Sequence, residues 1–307
     1  RQRMAAALDD RNTRLNNTAL YGQGNWQATD WLQTTAELRW DRFDGSCRLL
    51  GTETGGDECS RMQGRNQASP KLGALAQLNA QTAVRASWSQ GFALPSDFAK
   101  YALRNSDLSA NLFRQTELGV QWKPSSQWLI DAAVYRITSS QEIRNTAPGE
   151  YENLGATLRK GAELQLHWLP GRAWHLEWAY GYHRSEVTQN ATAALLGRRV
   201  VAVPEYTSTL HARWRPRSDI TVHGVLRHVG RSPINTSNTE WAASYHWIDL
   251  GLQYRLPAHM ARNASLNLWL RNALDTRYAS TTTLIGGQRL VAPGAPRSLQ
   301  LGLQFSL

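Results

Sequence analysis

Along residues 297–307 (RSLQLGLQFSL), Leu299, Leu301, Leu303, Phe305 and Leu307 take one set of alternate positions, and Ser298, Gln300, Gly302, Gln304 and Ser306 take the other. Strand side chains point to opposite faces with a period of two, so this predicts a strand with one apolar and one polar face. The alternation recurs. Leu118, Val120 and Trp122 oppose Glu117, Gly119, Gln121 and Lys123; Leu164, Leu166 and Trp168 oppose Glu163, Gln165 and His167. Leu266, Leu268 and Leu270 likewise oppose Ser265, Asn267, Trp269 and Arg271. Trp174, Trp178, Tyr180 and Tyr182 make one apolar face almost wholly aromatic. A face so rich in Gln, Asn, Arg, Glu and Gly suits a wetted lumen. The apolar face suits lipid, which supplies no hydrogen bonds and tolerates only a closed sheet.

The pattern predicts about 13 strands of about 9 to 14 residues: 18–27, 31–43, 70–78, 82–90, 113–123, 127–140, 158–169, 172–186, 203–215, 218–230, 244–256, 262–274 and 297–307. Residues 1–16 are polar and charged and read as a loop. The connections alternate without exception. Short turns at 28–30, 79–81, 124–126, 170–171, 216–217 and 257–261 are followed by long stretches at 44–69, 91–112, 141–157, 187–202, 231–243 and 275–295, with a short helical turn expected in 96–103. Soluble sandwiches mix their connection lengths, whereas membrane barrels place short turns at the periplasmic end and long loops outside. The fold class is therefore all-β: an antiparallel transmembrane β-barrel, here an incomplete portion of it. An odd number of strands leaves the two edge strands running the same way, and an open edge in lipid is costly.

Composition narrows the function. No run of about 18 apolar residues occurs in the 307, which excludes a spanning helix but not a barrel. Trp122, Trp128, Trp168, Trp174 and Trp214 stand beside the short turns, as an interfacial girdle requires. The net charge is +10, and only four of the 34 basic residues are lysine (Lys71, Lys100, Lys123, Lys160). Arginine's planar fork favours anionic ligands or lipid phosphates. Because the basic residues are spread over many loops and form no single stripe, no nucleic-acid partner is expected. The chain starts at Arg1 with no leader of basic, apolar and small-residue regions, which predicts further sequence upstream.

Candidate chemistry is sparse. There is no Gly-x-Ser-x-Gly elbow and no His-Glu-x-x-His, so an enzyme, a catalytic residue and a cofactor are not expected. The eight histidines show no close pair at metal-ligand spacing. His167, His175 and His183 share the inward parity and read as solvated lumen side chains.

Several segments, in order, resemble the barrel domain of the TonB-dependent outer-membrane receptors. They are 69–78 with 85–95 (RASWSQGFALP), 116–121 (TELGVQ), 153–163 (NLGATLRKGAE), 203–210 (VPEYTSTL) and, most specific, 272–278 (NALDTRY), which is similar to the family's Asn-x-x-Asp-x-x-Tyr. The acidic Pro-Glu pair that the family carries before TELG is absent from 106–115, and Leu307 stands where the family usually ends in Phe. The resemblance implies a barrel of about 22 strands with a plugged lumen. Residues 1–307 would be its C-terminal part without the plug, and 44–69 a long extracellular loop. It further implies a bacterial outer-membrane receptor for a scarce ligand, most often a ferric siderophore, with outer-membrane lipids, lipopolysaccharide and the TonB complex, through the plug, as partners. The alternative is a structural or adhesive barrel with no energised transport.

In that compartment Cys47 and Cys59 would form a loop disulfide, worth roughly 3 kcal/mol in the chain-entropy model, against free thiols or half a metal site. Ligand contacts would come from the outer loops and upper lumen: Tyr101, Arg104, Arg144, Tyr151, Arg198, Arg199, Trp241, Tyr245, Tyr278 and Arg289. Aromatic and guanidinium groups there would suit an anionic catecholate or hydroxamate iron chelate.

Overall fold

Each of the thirteen alternating segments forms a strand, and together they make one antiparallel sheet. The computed structural model describes residues 10–50, 62–94, 108–147, 150–257, 264–285 and 287–305. Within these, the side chains of 10–15, 45–50, 62–65, 144–147, 150–152, 154, 283 and 285 fall outside the description. The strands are β1 (Asp10–Thr29), β2 (Leu32–Leu50), β3 (Met62–Asn79), β4 (Thr82–Ala93), β5 (Asn111–Trp122), β6 (Trp128–Ala147), β7 (Glu150–Trp168), β8 (Trp174–Gln189), β9 (Tyr206–Arg217) and β10 (Ile220–Val229). After the small β11 (Ser232–Pro233) and β12 (Trp241–Ala242) come β13 (Tyr245–Arg255) and β14 (Ser265–Arg271), then β15 (Ala279–Ile285), β16 (Gln288–Pro293) and β17 (Ser298–Gln304).

The 13-stranded sheet follows chain order, β1 through β10, then β13, β14 and β17. β11 with β12 and β15 with β16 form two separate ribbons in long connections that the alternation pattern left as loops. β1 and β17 are the two edges; they head the same way and are not paired with each other.

The structure corrects the strand ends on the long-loop side. β1 starts at Asp10, inside the expected polar loop, and its first residues pair with the end of β2, Asp10 opposite Leu50. Residues 44–50 and 62–69, expected in the long loop, belong to β2 and β3, and most of 141–157 belongs to β6 and β7. β1, β2, β3, β6 and β7 are 18 to 20 residues long, whereas about 9–11 tilted residues cross a bilayer. The strands are thus longer than a bilayer crossing requires. The expected turn at 96–103 lies outside the described residues.

Because the sheet is one layer, its burial pattern differs from that of a soluble core. Leu38, Leu72, Leu118, Leu250 and Leu252 are exposed on one face, and Leu299, Leu301 and Leu303 on the edge strand are 69%, 72% and 61% exposed. A contiguous apolar face of this extent exceeds what a water-soluble surface carries and fits contact with acyl chains. At the short-turn end, Trp128 stacks on Trp168 (4.9 Å) and Trp174 on Trp214 (5.5 Å) across neighbouring strands.

The opposite face is polar, and glycines let long side chains lie flat across it. Gly119 sits between Arg85 and β6, and a Cβ there would come within 2.5 Å of the Arg85 guanidinium carbon. Over that gap Arg85 reaches Asp131 (2.7 and 2.9 Å) while also meeting Glu117 (3.3 Å). Gly161 makes the same room for Tyr135, whose hydroxyl lies 2.8 Å from His183 Nδ1 on β8. Gly251 does so for Trp269, which stacks against His223 on β10 at 5.6 Å.

Candidate functional site

The long-loop end of the polar face is organised by Asn272, the residue that follows β14. It is 3% exposed and holds φ at 45°, a left-handed conformation that Asn tolerates better than most residues. Its amide nitrogen donates to the carbonyls of Thr276 and Ala295 (both 3.0 Å), and its side-chain oxygen accepts from the Thr276 N–H (2.9 Å). The backbone N–H of Asn272 donates to Asp249 (2.9 Å) on β13. Asp275, also left-handed, accepts from the Arg297 N–H (3.0 Å). Both acidic and amide positions of the NALDTRY motif thus fold the loop back on itself.

That fold places Tyr278. Its ring lies 4.7 Å from Tyr245 and 5.2 Å from Trp247, and it is 3° from parallel with Trp247. Gly294 lies directly beneath the ring, where any Cβ would collide with it. Arg227, opposite Trp247 in the β10–β13 register, sets its guanidinium 5.6 Å from the Trp247 centroid. Tyr245 and Trp247 share the inward parity of Asp249 and Gly251, so the stack faces the lumen.

A second aromatic and guanidinium group lies in the neighbouring loops. The Asn238 side chain pairs with both backbone groups of Arg199 (2.6 and 3.0 Å), as a strand partner would. Trp241 donates to the Asn238 carbonyl (2.9 Å) and lies under Arg231 (4.7 Å) and Arg199 (5.9 Å). Glu205 accepts from Arg231 (3.2 Å) and pairs with Arg199 (3.3 Å), so one carboxylate faces two cations. An open cleft of about 460 Å³ beside them is lined by Val187, Arg199, Ile234, Asn235 and Leu284.

Of the residues singled out in the sequence, Tyr245 and Tyr278 come together, and Arg199 meets Trp241. Arg289 reaches Glu240 (3.0 Å), tying the β15–β16 ribbon to the loop before β12. Arg198 is exposed, and its guanidinium donates to the nearby carbonyl of Ala194 (3.4 Å). Arg144 and Tyr151 lie on paired stretches of β6 and β7, but their side chains, and that of Cys47, fall outside the described residues. So do Cys59, Tyr101 and Arg104 altogether.

The sequence reading missed Trp247, Arg227, Arg231 and Glu205. Trp247 carried a usable signal, being two residues from Tyr245 and hence on the same face. At the opposite, short-turn end, His167, His175 and Glu177 have donor atoms within 4.8 Å of one another, the group among the described residues whose atoms are placed to hold a metal ion.

Residues 3–273 match the family described as TonB dependent receptor-like, beta-barrel. The chain is 22% identical over 291 residues to the probable TonB-dependent siderophore receptor PiuA of Acinetobacter baumannii, covering 89% of the chain and 38% of PiuA. It is 23% identical over 216 residues to the catecholate siderophore receptor Fiu of Escherichia coli K12, covering 68% of the chain and 28% of Fiu. The crystal structure of PiuA superposes with a TM-score of 0.84 at 20% identity, over 96% of the chain and 44% of PiuA. The unliganded ferric citrate transporter FecA gives 0.80 at 17% identity, over 95% of the chain and 45% of FecA. The chain thus spans less than half the length of these relatives.

Proposed function

The chain belongs to the TonB-dependent receptor-like β-barrel family, whose members are outer-membrane proteins of Gram-negative bacteria, and we propose that it forms the wall and outer mouth of a receptor that takes up a ferric siderophore. The observation that carries this reading is the lumen-facing stack of Tyr245, Trp247 and Tyr278 with the Arg227 guanidinium beside it. Flat aromatic rings beside cations match the surface of an anionic catecholate complex, whose ligand rings are themselves planar and whose charge is spread over oxygens. Arg231 and Arg199 over Trp241 extend the same chemistry outward along the route of entry. Uptake would be driven by the TonB complex acting on a plug held within the barrel. Bilayer lipid would cover the leucine face, and lipopolysaccharide phosphates the outermost arginines.

The test is binding of a ferric tris-catecholate to the purified full-length receptor, followed by tryptophan quenching. Tyr278→Ala should weaken binding by up to about tenfold, since one stack between ligand and ring contributes about 0.5–1.5 kcal/mol. Tyr278→Phe should keep most of it. Unchanged affinity in Tyr278→Ala would remove the stack from the ligand's path.

A further inference from the structure

A row of imidazoles crosses the lumen face beside the short turns. His167 on β7 and His211 on β9 both sit opposite Glu177 on β8, and His175 is the next inward residue toward the turn. Glu177 Oε1 lies 3.0 Å from His175 Nε2 and 3.7 Å from His167 Nδ1, and Oε2 lies 3.9 Å from His211 Nδ1. Four donors at zinc-length bonds in a tetrahedron stand about 3.4 Å apart. The donor atoms of His167, His175 and Glu177 already lie within 4.8 Å of one another, and His211, now on the other carboxylate oxygen, must swing in to complete the set. The far nitrogen of His211 lies 3.3 Å from His223 Nδ1, and His223 is itself stacked on Trp269 at 5.6 Å. An outer acceptor of this kind fixes the ring and tautomer of a metal-binding histidine.

We propose that His167, His175, Glu177 and His211 form a binding site for a borderline divalent transition ion such as Zn²⁺ at the short-turn rim of the lumen. Three imidazoles and one carboxylate are a donor set such ions prefer over Mg²⁺ or Ca²⁺, which take oxygen. The four side chains are 24% to 42% exposed, so a hydrated ion can reach them and leave its waters in the lumen.

Arg213 opposes the site. Its guanidinium donates to His175 Nδ1 at 2.6 Å, which leaves the ring proton on Nε2 and directs it at Glu177. For an ion to bind at Nε2 the ring proton must first move from Nε2 to Nδ1 through solvent; Nδ1 then no longer accepts from Arg213, whose guanidinium must turn away into the lumen. The cation also repels the incoming ion. Arg213 is therefore a built-in brake on affinity, and the site is independent of which chelate the outer mouth accepts.

The test uses the full-length outer-membrane protein in detergent, stripped of metal, with Co²⁺ as a visible probe and Zn²⁺ as competitor. The expected result is an intense tetrahedral Co²⁺ absorption that saturates at one equivalent and is displaced by Zn²⁺. His167→Ala and Glu177→Gln should each weaken binding at least tenfold, and Arg213→Gln should tighten it several-fold. His183→Ala, whose side chain meets Tyr135 further along β8, should leave it unchanged. Absence of a saturable signal, or a signal that survives His167→Ala and Glu177→Gln in folded protein, overturns the proposal. If those variants fail to fold, Arg213→Gln decides, because it keeps all four donors; affinity equal to or weaker than wild type overturns the site.

Discussion

Arg85 on β4 binds Asp131 on β6 through two hydrogen bonds of 2.7 and 2.9 Å, although β5 runs between them. The pair exists because Gly119 offers no Cβ at the crossing point. Gly119→Val should push the guanidinium off the sheet and break both contacts. Arg85 is 35% and Asp131 27% exposed, so solvent screening limits the ion-pair loss to on the order of 1 kcal/mol. Denaturant titration followed by the folded-band shift on gels should show a lower midpoint for Gly119→Val. A midpoint equal to wild type would mean that Arg85 finds other partners at no cost.

Asn272 joins β14 to the loop that carries Tyr278 through three side-chain hydrogen bonds in a nearly solvent-free position. Asn272→Ala leaves two carbonyls and one N–H without those partners and places Ala in a left-handed conformation. The expected cost is about 2–4 kcal/mol, confined to the loop. Limited proteolysis should cut between residues 273 and 297 faster while the barrel band persists. Equal cleavage rates would show that the turn is held by Asp275 alone.

The outer-mouth cations should act through charge. Among the described residues no carboxylate lies within ion-pair distance of Arg227, whereas Arg231 shares Glu205 with Arg199. Arg227→Gln should therefore weaken binding of a triply charged ferric catecholate by about fivefold, on the order of 1 kcal/mol, and flatten its salt dependence. Arg231→Gln should cost less, since Glu205 loses a competitor for Arg199. Equal losses from both, measured at two ionic strengths, would contradict this ranking.

The two faces can be told apart by one substituted residue each. Leu164 lies on the apolar face of β7 between Ala132 and Tyr180, and Gln165 is its polar-face neighbour. Leu164→Arg should destabilise folding into bilayers by about 2–4 kcal/mol, and Gln165→Arg by less than about 1. Equal effects would mean that both faces see the same solvent.

The sequence made the strands legible because lipid on one side and water on the other impose a period of two, and each of the thirteen segments became a strand of the sheet. Their outer ends were not legible. Residues 44–50 and 141–147 are in strands, yet their sequences (DGSCRLL and QEIRNTA) carry no period-two alternation of apolar and polar residues to report it. The ribbons of Ser232 with Ala242 and Ala279 with Pro293 escaped because they are too short or too uniform in polarity to show an alternation. At the mouth, Tyr245 and Tyr278 were identifiable as aromatic residues at loop ends. Their contact was not, because it depends on the turn that Asn272 and Asp275 impose. The histidine row was out of reach: His167 and Glu177 pair about Arg172, whereas counting outward from the expected Pro170–Gly171 turn would set His167 opposite Trp174. Inward parity without register made those rings look like separate wet side chains.

Backbone ladders couple a strand only to its immediate neighbours, which makes a sheet a one-dimensional array with an interaction range of one. Such an array can lose strands singly from an edge. The side chains that pass over Gly119, Gly161 and Gly251 raise that range to two, linking β4 to β6, β6 to β8 and β10 to β14. A peeling front moving in from β17 meets the first such link at β14, and there the loss of one strand releases a contact two strands away. Unravelling should thus proceed in blocks, with discrete force steps when the sheet is pulled from its terminal strand.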